Sequence, residues 1–409
     1  MTFTQKWARL ALLNFLVLAS VGVILRYKIL FPLPFVDHKH LLHGHSHFAF
    51  AGWVSLALYV AILHVLQPNE VQQKQFSRLL WAQQLSSYGM LFTFPFTGYA
   101  AASVTFSTLS IFVSFWFAFT AGSMIKKNTT LTFEKKWFYA GLVCNIISAA
   151  GTFTLAYLMV NRIMHQSWYF GSVYFYLHFQ YNGWFLFTIM GLLFTFTAKW
   201  MNDKQADISN RFFILLITAL LPAWFLSMLW MRIPHWVHYA GIAAAVLQLV
   251  AIGYYARLFL LFKPIAQQVI NPQVKWLWLF SILAFVAKNI LQAFSAIPEL
   301  NKYAFGIRPV VIGFLHLVLL GFVSFFILGF FTQYRLITTE TKAAKKGLWI
   351  FITGVLLNEI VLMLQGIAAI RFTDIPYSNY FLLGIALLIF SGLLLLVTNQ
   401  QKKEHTLPG

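Results

Sequence analysis

Leu41-Leu42-His43-Gly44-His45-Ser46-His47-Phe48-Ala49-Phe50 leads into an apolar run that continues to residue 66. Far along the chain, Ile312-Gly313-Phe314-Leu315-His316-Leu317-Val318 lies inside another, from 309 to 334. A helix crosses a bilayer with about 20 apolar residues, and both runs have that length. A neutral imidazole in hydrocarbon is costly unless its nitrogens find partners. Two such imidazoles, read at matching depth on two helices, suit the two axial positions of a haem iron. His47 and His316 are therefore the leading candidates for a site.

Working outward from these two runs, the same character fills the chain. Hydrophobic residues make up 60% of it and charged residues 10%. That balance excludes a soluble domain of this length. Apolar stretches predict about twelve spans, over 7–27, 45–66, 79–100, 102–124, 138–160, 169–197, 211–231, 236–260, 276–297, 309–334, 347–370 and 380–398. Gly and Pro interrupt several, which neighbouring helices tolerate by covering the backbone. The expected fold is an all-α integral membrane protein, with 1–409 as a single polytopic domain. Lys6 and Arg9 precede the first run, but Arg26-Tyr27-Lys28 follows it without a small-residue cleavage pattern. The run is therefore expected to be a membrane helix and not a cleaved signal. Cys144 is the lone cysteine, so no disulfide within the chain is available.

The net charge of +19 is distributed unevenly. With the N-terminus in the cytoplasm, the cytoplasmic ends gather Lys126, Lys127, Lys135, Lys136, Lys342, Lys345, Lys346, Lys402 and Lys403, among others. The opposite ends hold only Arg26, Lys28, Lys39, Arg162, Arg232, Lys302, Arg308 and Arg371. Basic residues favour the cytoplasmic side, so both termini are expected inside, in a membrane such as the bacterial inner membrane. Membrane lipid with anionic headgroups is the natural partner of this charge. No basic arm with interleaved aromatics points to nucleic acid.

The histidines are also one-sided. His38, His40, His43, His45, His47, His165, His178, His235, His238 and His316 fall in outer loops or outer halves of spans, against only His64 and His405 near the cytoplasm. Imidazole is the commonest metal ligand among side chains. For the run from His38 to His45, two readings stand. Interfacial histidines can cap helix ends and bind water, or His43 and His47, at i and i+4 on one helix face, can share a metal.

Helix count, histidine positions and loop signatures together resemble the catalytic subunit of the haem-copper oxidase superfamily, nearest its nitric oxide reductase branch. The resemblance runs through the whole chain in helix order. It implies one low-spin haem b held by His47 in the second span and His316 in the tenth. Pro298-Glu299-Leu300-Asn301-Lys302-Tyr303-Ala304-Phe305-Gly306 looks like the reductase connection between helices nine and ten. The loop Arg371-Phe372-Thr373-Asp374-Ile375-Pro376 is similar to the one that holds the haem propionates. Arg371 suits that task, because its fork stays charged and binds carboxylates bidentately. The resemblance further implies a second centre of copper or non-haem iron, with His178 as the sixth-span ligand and His235 and His238 from the end of the seventh. An electron-donating cytochrome or partner subunit would serve such a protein, and its small-molecule substrate would be oxygen or nitric oxide.

The chain departs from that pattern in three places. Two residues separate His235 from His238, where the family has adjacent histidines. Phe314 stands where the family has the high-spin haem ligand, and phenylalanine cannot ligate iron. Asn182 stands where the reductases carry a glutamate. Two charged residues, Lys288 and Glu359, fall near mid-membrane and read as an ion pair, a proton-relay element or buried structural groups. A non-redox carrier, channel or metal-handling protein on the same scaffold is the alternative. Its pathway would be lined by Gln83, Gln84, Ser86, Lys288, Asn289, Gln292, Asn358 and Glu359.

Overall fold

A computed structural model describes residues 1–400, apart from the side chains of Lys302 and Ala304. His405, Lys402 and Lys403 lie outside the described residues. Among those described there are helices and turns and no strand. The α-helices are α1 (Phe3–Leu30), α2 (His38–Phe48), α3 (Leu56–Leu66), α4 (Glu70–Thr97), α5 (Ala101–Lys127), α6 (Lys135–Val160), α7 (Gln166–His178) and α8 (Leu186–Thr197). They continue with α9 (Asp203–Trp224), α10 (His235–Val269), α11 (Pro272–Phe294), α12 (Pro298–Gly306), α13 (Arg308–His316), α14 (Phe325–Gln333), α15 (Lys342–Ile370) and α16 (Ser378–Thr398). Three π-helical segments are inserted: π1 (Ala49–Ser55), π2 (Phe179–Phe185) and π3 (Leu317–Ser324). Each joins two α-helices into one continuous span: α2 to α3, α7 to α8, and α13 to α14.

Eleven helices among the described residues are long and apolar enough to cross a membrane, which makes this a multi-helix membrane bundle. The sequence predicts about twelve. The difference is the stretch 79–100, which lies in α4. That helix has 28 residues but is not one of the eleven. Its first half carries Glu70, Gln72, Gln73, Lys74, Arg78, Gln83 and Gln84, and these dilute its apolar character. The helix also stops at Thr97, because Gly98 turns the backbone to φ +58. A Cβ there would be strained and would lie 2.5 Å from His40 Nε2.

Helix starts follow the local chemistry. Thr2 with Gln5, Asn69 with Gln72, and Asn202 with Gln205 form capping boxes on α1, α4 and α9. Each satisfies two backbone N–H groups that a helix start leaves without partners. Asp37 caps α2 by accepting from the His40 N–H at 2.9 Å. That bond holds its carboxyl below the usual carboxylate range.

The chain divides into two compact units. The first comprises residues 1–113, 327–361 and 375–400 of the described chain. In it, α1 packs on π1, with Phe15 and Trp53 stacked at 4.2 Å, and α16 packs closely on α15 through Gly347, Gly354 and Gly392. The second unit comprises residues 114–326 and 362–374. There α6 lies tight against the α7–π2–α8 span through Gly141, Gly151 and Gly183. The start of α13 meets the end of α15 through Gly313 against Leu362 and Gly366 against Val310.

Candidate functional site

Three of the candidate histidines lie beside π segments. In α-helix, a backbone N–H bonds the carbonyl four residues back; in π-helix it reaches five back. Carbonyls at the change of pattern lose their regular donors, and in a membrane no water replaces them. Such segments are rare, well under 1% of residues, and concentrate at functional sites. Here they have 7, 7 and 8 residues. The first starts two residues after His47. The second starts directly after His178 and the third directly after His316.

Polar side chains in the core donate to carbonyls of π1 and π3. Gln83 Nε2 donates to the Ala51 carbonyl at 2.9 Å, and Asn14 Nδ2 donates to Gly52 at 2.6 Å and to Gln84 Oε1 at 2.7 Å. Tyr88 Oη in turn donates to Asn14 Oδ1 at 3.0 Å. On π3, Ser281 Oγ donates to the Phe322 carbonyl and Ser324 Oγ to Leu319, both at 2.7 Å. On π2, Gln180 Nε2 donates to Asn145 Oδ1 at 3.0 Å and to Ser148 Oγ at 2.8 Å on α6. Gln83, Gln84 and Asn14 therefore brace the π1 turn, which accounts for polar groups otherwise open to a transport reading.

Burial changes at the same points. The helices that carry the histidines, α2, α7 and α13, are largely half-buried or exposed. Past each π segment, α3, α8 and α14 are buried at nearly every residue.

His47, in the first unit, is half-buried. Its ring stacks on Phe94 with centroids 4.4 Å apart and planes 8° apart, and its Nε2 lies 3.4 Å from Tyr99 Oη. That is a long contact for a hydroxyl and binds weakly. Tyr99 also lies edge-on to His43, at 4.8 Å between centroids. Tyr99 follows the Gly98 turn, so the break in α4 is what brings this phenol to both imidazoles.

His316, in the second unit, is half-buried at the end of α13. Its Nδ1 lies 2.8 Å from the Ile312 carbonyl, one turn back. A carbonyl can only accept, so Nδ1 carries the proton and the neutral ring has its lone pair on Nε2. Metal-binding histidines typically use this second-shell arrangement to fix tautomer and ring orientation. Arg371, in the same unit, is exposed just past α15, the helix whose Gly366 packs on α13.

His178 is differently placed. It is 1% exposed. Its Nε2 donates to the Leu220 carbonyl of α9 at 2.7 Å, and its Nδ1 accepts from Asn182 Nδ2 at 3.1 Å. Both nitrogens are engaged. His235 and His238 stand in the first turn of α10, exposed and half-buried respectively. Among the described residues, no group of three or more His, Cys, Asp or Glu side chains could hold a metal ion. The structure thus does not gather His178, His235 and His238 into one site. His178 is turned instead to a backbone carbonyl and an amide. Phe314 packs edge-on to Tyr181 of π2, centroids 6.0 Å apart.

Lys288 and Glu359 find amide partners. Lys288, 2% exposed, donates from Nζ to Asn182 Oδ1 and, at 3.4 Å, to Asn289 Oδ1. Asn358 Nδ2 donates to Glu359 Oε1 at 3.1 Å. Sequence inspection finds Lys288 and Asn182 separately but gives no sign that they bond across two helices.

The fold and this region define a multi-pass helical membrane protein with histidines poised at π turns. The chain matches no family model, and no curated protein matches it.

Proposed function

We propose that this chain is a haem-binding membrane redox protein, in which His47 and His316 each supply an axial nitrogen to one low-spin haem b. The observation that carries the reading is the coincidence of π segments with histidines chosen from sequence alone. A second feature fits the group: the Nδ1–H of His316 is bonded to the Ile312 carbonyl, which fixes the tautomer and orientation of the ring. Phe94 gives the His47 ring a flat apolar face to rest on, and fixes its plane. Arg371 has the exposure and charge to hold a propionate carboxylate. When bound, a six-coordinate haem passes single electrons and has no open position for substrate.

The proposal ends at electron transfer. His178 has no nitrogen to spare, and Phe314 offers no ligand, so these residues do not support reduction of oxygen or nitric oxide. An electron-donating cytochrome or partner subunit follows from the redox reading. The positive bias of the loops supports an inner-membrane orientation with both termini inside.

The test is absorption of the purified protein. Sharp low-spin bands on reduction, with roughly one haem per chain by pyridine haemochrome, are expected. A colourless protein would favour the carrier or channel alternative. Bands that survive in both His47→Ala and His316→Ala would sink the ligand assignment.

A further inference from the structure

Lys288 is a basic side chain in the core of the second unit with no carboxylate among its described partners. Burying an ammonium is unfavourable unless its surroundings compensate. Two amide oxygens and the Tyr181 ring, 6.0 Å from Nζ, are what surround it. Neutral partners satisfy the donors of its protonated form but leave the charge uncancelled. In a low-dielectric interior such a charge acts over a long range.

The contacts of α11 give its depth. Trp278 Nε1 donates to the Phe326 carbonyl, Ser281 bonds Phe322, and Gly321 packs on Ala284. Each step forward on α11 is a step back along the α14–π3–α13 span, so the two run antiparallel. One further turn along α11 from Ala284 is Lys288. The matching turn back from Gly321 reaches Leu317 and His316. Lys288 therefore stands level with His316 on the adjoining helix. Tyr181, which lies against Phe314 and beneath the ammonium, belongs to the same layer.

We propose that the Lys288 ammonium tunes the haem held at His316, raising its reduction potential. The inference rests on the haem reading above. One electron added to ferric haem cancels one positive charge at the iron, and a neighbouring cation favours that change. Asn182 is the positioning residue: its oxygen receives the ammonium, while its N–H is fixed by His178, itself anchored on Leu220. The chain Lys288–Asn182–His178–Leu220 thus joins α11, π2, the end of α7 and α9.

The experiment is a potentiometric titration of the purified, haem-loaded full chain, with dithionite as reductant and the reduced low-spin band as signal. Lys288→Met is expected to lower the midpoint potential with the band positions unchanged, and Lys288→Arg to restore it towards wild type. Asn182→Asp places a carboxylate against the ammonium and is expected to lower the potential as well. Lys288→Gln, which also removes the charge, decides if Lys288→Met does not fold or hold haem. Potentials unchanged in Lys288→Met and Asn182→Asp overturn the proposal and leave the haem reading standing. An equal fall in Lys288→Arg overturns it too, since packing rather than charge would then be responsible. A wild-type protein without haem bands overturns both.

Discussion

His316 and His178 share a local design and use it in opposite ways. Each ends an α-helix and opens a π segment in the same unit. His316 gives one nitrogen to its own helix, at Ile312, and stays half-buried. His178 gives one nitrogen to Leu220 and the other to Asn182, and is sealed in the core. The first arrangement fixes the tautomer and plane of a half-buried ring, as the proposed haem ligand requires. The second consumes the imidazole as a cross-brace between helices. A histidine at a π turn is thus a candidate and no more; the partner of its second nitrogen decides what it does.

The sharpest way to break this comparison is to remove each ring in turn. His316→Ala is expected to abolish the low-spin haem spectrum, whereas His178→Ala should keep it. Loss of the spectrum in His178→Ala and its survival in His316→Ala would invert the assignment.

The same His178→Ala variant should lose stability. It leaves the Leu220 carbonyl and the Asn182 amide without their buried partner, at a cost of about 1–3 kcal/mol for each group left unsatisfied. A thermal melt in detergent checks this; a wild-type midpoint would mean that the brace carries no weight.

Gly183→Ala probes the π2 segment itself. A Cβ there would sit 2.5 Å from Cys144 Cβ, which belongs to the opposing helix and cannot swing away. Overpacking of that kind costs about 1–3 kcal/mol. Gly253→Ala is the control, with nothing within 4 Å of the added carbon, and should be neutral or slightly stabilising. Equal midpoints for the two variants would mean that π2 yields to α6 without strain.

The smallest expected effect is at Ser281→Ala. It removes one donor to a π3 carbonyl, a loss of about 0.5–1.5 kcal/mol, and should leave the haem bands where they are. A shift of those bands would show that π3 sets the geometry of His316 more tightly than a single hydroxyl suggests.

Much of the fold is legible in the sequence because hydropathy reports directly on membrane length. Eleven of the expected spans need nothing more. The stretch 79–100 is also read as a span, but the part of Gln83 and Gln84 is not legible: read as pathway lining, they bond the Ala51 carbonyl and Asn14. The histidines are legible as residues and not as ligands. Nothing in Tyr176-Leu177-His178-Phe179-Gln180 states which nitrogen faces Leu220. The π segments are hidden for a related reason. A one-residue change in hydrogen-bond reach leaves composition and apolarity untouched, and only the rare Asn, Gln and Ser side chains hint at where spare carbonyls lie.

One consequence of those segments concerns phase. Each residue of an α-helix turns the face by about 100°, so a wider turn shifts the angular frame of everything beyond it. The spans through π1, π2 and π3 are each two helices written in different frames. The frame before the turn aims a histidine, and the frame after it satisfies a fully packed interior. A point substitution leaves both frames as they are. Inserting or deleting one residue within a π segment would re-aim the imidazole relative to the packed half, making these three turns the places where length, more than residue identity, sets the direction of a histidine ring.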